Sequence, residues 1–163
     1  MIIRLIVSVT RNVQCESTLS GPCCILCERF GEIPAFYRDL LGFEQVGEFS
    51  RTFTAVALSA GRTHHEVLLI QVGDAPGSPK GHRIGLYHIG IKVGDALDEL
   101  RAVRDELIEA GINISGLSDH TVSQSIYLED PDGNEVELYV DDPNVDWKND
   151  PSFVMSPIKQ LNL

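Results

Sequence analysis

Cysteine is missing from most of this chain: Cys15, Cys23, Cys24 and Cys27 are all of it, and nothing follows position 27. A disulfide framework spanning the domain is thereby excluded. Cys24 and Cys27 form a C-x-x-C, but a structural zinc needs two further ligands at suitable spacing and the sequence offers none, so these cysteines read as small, partly buried residues. Basic clusters are missing too. Lys and Arg number 13 against 24 Asp and Glu, a net charge of -11, and a nucleic-acid partner would call for a basic face. No apolar run approaches the roughly 18 residues that span a bilayer. The best, Ile2 to Val9, is interrupted by Arg4, and no signal-peptide pattern stands out. The expectation is a cytoplasmic protein with neither nucleic-acid nor membrane partners. Histidine is the last absence: none precedes His64.

What is present describes a domain with a real core, 43% hydrophobic over 163 residues, too short for two independent domains of ordinary size. Glu32 to Leu41 reads as a short helix with Pro34 in its first turn, Ile33, Phe36, Leu40 and Leu41 on one side, and Gly42 as the stop. Strands are expected over Phe43 to Phe49, Phe53 to Ser59 and His65 to Val72. A Gly- and Pro-rich loop, Gly73 to Gly85, joins this half to a second of the same order. The second half has a strand from Leu86 to Val93 and a helix from Ala96 to Ala110 capped by Asp95 and ended by Gly111. Two further strands lie near Ser123 to Glu129 and Glu135 to Val140. Leu97, Leu100, Val103, Leu107 and Ile108 form the helix's core stripe.

An internal repeat is visible where His65-Glu-Val-Leu-Leu-Ile-Gln-Val72 aligns with Asn134-Glu-Val-Glu-Leu-Tyr-Val-Asp141. Each half is therefore βαβββ, and the fold class is α+β. The first half should open with a strand before residue 32, although Met1 to Arg29 lacks an obvious strand pattern. Residues 1–31 stand as an atypical N-terminal segment, 32–142 as the domain (first module to about 73, second from about 85), and 143–163 as an aperiodic tail.

Alternation along strands decides which side chains can meet. Tyr87, Ile89, Ile91 and Val93 share one face and His88 the other; Val136, Leu138 and Val140 oppose Glu137; Tyr127 opposes Ile126 and Leu128. If the apolar faces pack on helices, His88, Tyr127 and Glu137 line a concave side. Any one of them alone would read as a polar residue on a half-wet sheet, and the three together point to a site. A His nitrogen and a carboxylate oxygen on neighbouring strands, completed by another His, form a facial triad suited to Fe(II) or Mn(II). A nearby imidazole, from His64, His65 or His120, can take and return a phenolic proton, and the Tyr127 hydroxyl can hydrogen-bond charged oxygen. The turn Asp130-Pro131-Asp132-Gly133 reverses the chain between Tyr127 and Glu137.

The segment His120-Thr-Val-Ser-Gln-Ser-Ile-Tyr127-Leu-Glu-Asp130-Pro131-Asp-Gly133-Asn-Glu-Val-Glu137 resembles the signature of type I extradiol ring-cleaving dioxygenases, departing from it only at Ser118. His64-His65-Glu-Val-Leu-Leu and Leu86-Tyr87-His88-Ile89-Gly90 are similar to two other strands of that family. Phe36-Tyr37-Arg-Asp-Leu-Leu-Gly42-Phe43 is similar to the first helix of the wider vicinal oxygen chelate superfamily, which includes glyoxalase I and bleomycin-resistance proteins. The resemblance covers about residues 32 to 142. It implies two βαβββ modules forming one domain with a concave metal-binding sheet, His88 and Glu137 as metal ligands, His65 as acid/base, and His120 and Tyr127 as hydrogen bonders to the reacting oxygens. Alternation places His64 and His65 on opposite faces, and the internal repeat favours His64 as the inward one. A β-bulge would reconcile the two readings.

The implied activity is non-haem Fe(II)-dependent cleavage of a catechol-type diol with O2, with Mn(II) the alternative metal. The family's other metal His would fall near Pro22, where this chain has none; Cys23, Cys24 or Glu28 are the substitutes at hand. Two other functions fit the same fold. A glyoxalase-I-like isomerase needs a Lewis-acid metal and a carboxylate base but no use of His120 and Tyr127, and a non-catalytic member would bind a small molecule in the same cup. Open sheet edges that need covering make a homodimer the expected assembly.

Overall fold

The computed structural model describes residues 22–73, 75–77 and 84–163. The run Ile2 to Val9, Cys15 and part of the Gly73 to Gly85 loop lie outside them. The chain divides into two compact units. The first holds β1 (Cys23–Cys27), a short helix, β2 (Glu44–Ser50), β3 (Thr54–Ser59) and β4 (Val67–Gln71). The second holds β5 (His88–Gly94), a long helix, β6 (Ile114–Asp119), β7 (Ser123–Glu129), β8 (Glu135–Asp141) and β9 (Lys159–Gln160). The first unit has the order βαβββ and the second repeats it with β9 added, in two mixed sheets with few helices, which is the α+β vicinal oxygen chelate fold expected from the sequence. Among the described residues no helix is long and apolar enough to cross a membrane.

In the first unit the sheet runs β1-β4-β3-β2, with β1 parallel to β4 and the other pairs antiparallel. β1 is the opening strand expected before residue 32, in a segment whose sequence lacks an obvious strand pattern. Ile25 and Cys27 are buried while Cys24 and Leu26 are exposed, an ordinary two-residue period that adjacent cysteines conceal, because thiols serve either side of a sheet. The expected helix starts as one α-turn, α1 (Ile33–Ala35), with Pro34 in its opening, and then widens into a π-helical segment, Phe36–Leu40. Its closing bond runs from the Leu41 N–H to the Phe36 carbonyl at 3.0 Å. The wider turn lets Phe36, Tyr37 and Leu41 all reach the core, where Tyr37 meets Phe36 and Phe43 edge-on, a favoured aromatic geometry. Gly42, at φ 80°, ends the segment as expected.

The second sheet runs β5-β8-β7-β6-β9. Its core side is built by Ile126, Leu128, Val136, Leu138 and Val140, all fully buried, together with Leu100, Val103 and Leu107 of α2 (Leu97–Glu109). Ile108, placed in the core stripe by the helical period, is 60% exposed. The cap also differs from expectation. Ala96 is the N-cap, and the Glu99 carboxylate reaches back to the N–H groups of Asp95 and Ala96 at 2.7 and 3.0 Å, satisfying donors that open every helix. The tail is less detached than its composition suggests, since β9 pairs with β6 through Ser118 and Asp119.

Candidate functional site

Four of the sequence-predicted residues meet on one face of the second sheet because the strand registers bring them there. β5 and β8 pair in parallel, with His88 opposite Glu135 and Gly90 opposite Glu137. β7 and β8 pair antiparallel, with Tyr127 opposite Glu137 and Ser125 opposite Tyr139. Cross-strand partners share a face, so His88, Gly90, Ser125, Tyr127, Glu135 and Glu137 all project to the side away from Leu138 and Ile126. His120 arrives from the β6–β7 hairpin. That turn is held by the His120 N–H to Ser123 carbonyl bond at 2.9 Å and by Asp119, whose Oδ1 accepts from the Thr121 N–H at 2.7 Å. Thr121 sits at φ 71°, a left-handed conformation that costs a β-branched residue energy. At the other end of β7, buried Asp130 accepts the Asn134 N–H at 2.8 Å and its Nδ2 at 2.9 Å. The Asp-Pro-x-Gly turn is thus structural, as read from sequence.

The contacts form a chain. The Tyr127 hydroxyl donates to Glu137 Oε1 at 2.8 Å, and the Ser125 hydroxyl donates to the same oxygen at 2.7 Å. Glu137 Oε2 lies 3.1 Å from His88 Nε2, and His88 Nδ1 lies 3.3 Å from Glu135 Oε1. That last pair is within ion-pair distance but not aligned as a hydrogen bond, leaving the buried Nδ1 without one. His120 Nε2 is 2.7 Å from the Tyr127 oxygen. Burial, then the hydrogen bond and charge of Glu137, push the Tyr127 phenol well above its usual range, outweighing the opposite effect of Ser125. A phenol has one proton. When it is given to Glu137, the short contact to His120 requires His120 to carry its hydrogen on Nε2 and donate to the phenol oxygen.

A raised phenol pKa has a signed consequence. The fold favours the neutral phenol, so this contribution to stability is complete below the ordinary phenol value near 10 and is lost as pH rises through the folded one. Ultraviolet difference titration of the native protein should show a tyrosine component that ionises later than an ordinary phenol, and Tyr127→Phe should remove it. An unchanged late component in that variant would contradict the assignment.

The donor set suits part of a metal site. An imidazole nitrogen and a carboxylate oxygen, His88 Nε2 and Glu137 Oε2, face each other, the donor types of such a site, and Glu135 lies 3.3 Å from the other ring nitrogen without a hydrogen bond to it. Gly90 lets side chains close in beside them: a Cβ there would lie 3.4 Å from Glu137 Oε2 and 3.5 Å from the Tyr139 ring. Among the described residues, however, no three His, Cys, Asp or Glu side chains gather to hold a metal ion. The suggested substitutes are poorly disposed. Burial, then the neighbouring Cys24, raise the Cys23 thiol pKa and so keep it protonated, whereas ligation needs thiolate. Cys24 and Glu28 are solvent-exposed.

His65 belongs to the first unit. It precedes β4, half-buried, with its ring centroid 4.4 Å from that of exposed His64. The next residue, Glu66, is committed to the turn before it. Burial works to raise its carboxyl, but the N–H groups of Ala60, Thr63 and Arg62 and the Ser59 hydroxyl outweigh that and hold it below the usual range. The two units differ at equivalent positions. Stepping β1 back one residue from the Cys23–Val67 pair sets Pro22 against Glu66 as His88 is set against Glu135. Where the second unit has His88 and Glu137, the first has Pro22 and Leu68, neither able to bind a metal.

Sequence reasoning overlooked Ser125 and Glu135. Both were within reach of the alternation argument, since Ser125 shares a parity with Tyr127 and Glu135 with Glu137.

Residues 21–138 match the Glyoxalase/Bleomycin resistance protein/Dioxygenase superfamily. The chain is 36% identical over 115 residues to a catechol-2,3-dioxygenase of Bacillus subtilis, covering 71% of this chain and 39% of that one. It is 32% identical over 120 residues to biphenyl-2,3-diol 1,2-dioxygenase 3 of Rhodococcus globerulus, covering 68% and 58%. It thus spans between about two fifths and three fifths of these relatives' length. Among solved structures, a glyoxalase family protein from Enterococcus faecalis superposes with a TM-score of 0.61 at 27% identity, over 72% of this chain and 94% of that one. The fosfomycin resistance protein FosX of Listeria monocytogenes, solved with Mn(II) and sulfate, has a TM-score of 0.56 at 12% identity over 76% and 92%, a likeness of fold alone. With the match running from the start of β1 into β8, the chain belongs to the glyoxalase/bleomycin resistance protein/dioxygenase superfamily.

Proposed function

We propose that this protein is a non-haem Fe(II)-dependent extradiol dioxygenase that opens a catechol-type ring with O2. The observation that carries the reading is the connected set His120–Tyr127–Glu137–His88. A site that only polarises a carbonyl needs a metal and a base, and would leave the His120–Tyr127 arm without a task. The sequence similarity to catechol- and biphenyl-diol-cleaving enzymes supports the same reading.

In this scheme His88 and Glu137 hold the iron, with a third donor from outside these residues. Bound iron would supply Lewis acidity toward the two diol oxygens and the one-electron chemistry that dioxygen requires. An acid/base imidazole takes a phenolic proton from the diol and later returns it, the role that the sequence resemblance gives to His65. Turned from Glu137, the Tyr127 hydroxyl, with His120 Nε2–H beside it, would present donors to developing negative charge on oxygen, help that is strongest where water is excluded. Both oxygen atoms of O2 end in a ring-opened semialdehyde. Mn(II), which accepts the same nitrogen and oxygen donors, is the alternative metal.

The test is iron content after anaerobic Fe(II) loading, by elemental analysis, with His88→Ala alongside. Near-stoichiometric iron in the wild type, lost in the variant, together with a yellow ring-cleavage product from at least one simple catechol, is the expected result. Iron bound normally with no product from any of several catechols would refute the dioxygenase. A second reading, a small-molecule-binding protein without turnover, is favoured by the pairing of just two donors, His88 and Glu137, among the described residues. It would be supported by tight binding of an aromatic ligand unchanged by chelator.

A further inference from the structure

We infer that Ser125 is a positioning residue that makes Glu137 a one-oxygen ligand, tying down Oε1 so that Oε2 alone faces the metal. The inference rests on the metal-site reading above and concerns a residue to which that reading gives no role.

Ser125 is fully buried in the middle of β7, a place where a hydroxyl is costly unless it is hydrogen-bonded. Its hydroxyl donates to Glu137 Oε1 at 2.7 Å. The same oxygen also accepts the Tyr127 hydroxyl at 2.8 Å. Glu137 Oε2 points the other way, 3.1 Å from His88 Nε2 and over the side-chain-free Gly90. The two carboxylate oxygens are therefore unequal before any metal arrives: one carries two donors and the other faces His88.

Two donors on Oε1 are not redundant. Tyr127 has a single proton, and when it turns that proton toward a bound ligand oxygen it withdraws its bond from Glu137. Ser125, fully buried and donating to Oε1, keeps that oxygen satisfied, so the carboxylate stays in place while Tyr127 is released. Without Ser125, Oε1 depends on Tyr127 alone. The carboxylate can then either rotate to offer both oxygens to the metal or keep the Tyr127 proton.

The experiment uses Mn(II) as the probe, because it binds the same donor types without reacting in air. The infrared difference spectrum between Mn(II)-loaded and metal-free protein gives the separation of the antisymmetric and symmetric carboxylate stretches, which is wide for one-oxygen and narrow for two-oxygen ligation. Glu137→Gln identifies the bands. The wild type should show the wide separation. Ser125→Ala should narrow it and weaken Mn(II) binding roughly 10- to 100-fold, the range for a lost outer-sphere partner. Ser125→Thr, which keeps the hydroxyl, should restore the wide separation. A narrow separation in the wild type, or separation and affinity unchanged in Ser125→Ala, would overturn the role of Ser125 while leaving the metal site standing. Wild-type protein that takes up no Mn(II) and no Fe(II) would overturn the metal-site reading itself, and this inference with it.

Discussion

Glu137→Gln should leave the protein folded and strip it of iron. The variant's amide oxygen can still accept from Ser125 and Tyr127, so the buried hydroxyl on β7 is not orphaned and the sheet register has no reason to change. What disappears is the negative charge that a hard divalent cation seeks. Iron affinity should fall by more than the roughly 10- to 100-fold that partners outside the ligand shell are worth, and ring cleavage should fall at least as far. A second signature needs no metal. Part of the upward push on the Tyr127 phenol comes from the hydrogen bond and charge of Glu137, after burial, so the late tyrosine component should move back toward, without reaching, the ordinary range. Anaerobic loading with elemental analysis checks the first outcome and ultraviolet titration of the apo-protein the second. Stoichiometric iron in Glu137→Gln would remove Glu137 from the ligand set.

Much of this site is legible in sequence because β7 and β8 are regular. Their two-residue period places Tyr127 and Glu137 on one side and Ile126, Leu128, Val136 and Leu138 on the other, and the burial pattern follows that division. His88 is legible for the same reason, although β5 begins at His88 itself and Tyr87, assigned to the apolar face, is 74% exposed. Ser125 escaped because a serine in an alternating strand reads as a solvated residue. Its parity with Tyr127 puts it on the site's face, and the register seats it diagonally from Glu137. β6 escaped for a different reason. Ile114-Ser-Gly-Leu-Ser-Asp119 has little apolar content, and its pairing with β7 shifts register between Ile114 and Gly116. It is a strand because β7 and β9 flank it, a tertiary cause that local propensity does not register.

The internal repeat was legible, and the structure adds what it means at the level of chemistry. Aligning His65–Val72 with Asn134–Asp141 predicts that Leu68 stands where Glu137 does, and the parallel registers of β1–β4 and β5–β8 extend the comparison to Pro22 and His88. The first sheet has the same architecture without the donors. Leu26, on the exposed side of β1, is 64% exposed, so the side of that sheet away from its core is apolar where the second sheet is polar.

Leu138→Ala, one residue along β8 from Glu137, should have the opposite profile. Leu138 is fully buried beneath the second sheet, and removing most of such a side chain costs about 2–5 kcal/mol through lost burial and the cavity left behind. That is a large part of the stability of an ordinary domain. The midpoint of denaturant unfolding should fall sharply with little change in slope. Yet the backbone of β8 is held on both sides, by β5 and by β7, and the cavity opens on the face away from the donors. At temperatures where the variant stays folded, His88, Glu137, Ser125 and Tyr127 should keep their contacts, and iron stoichiometry should match the wild type. Iron lost in proportion to stability would mean that the two faces of β8 are coupled through the core. Iron kept at wild-type stoichiometry would mean that the alternation of one strand separates what holds the fold from what performs its chemistry.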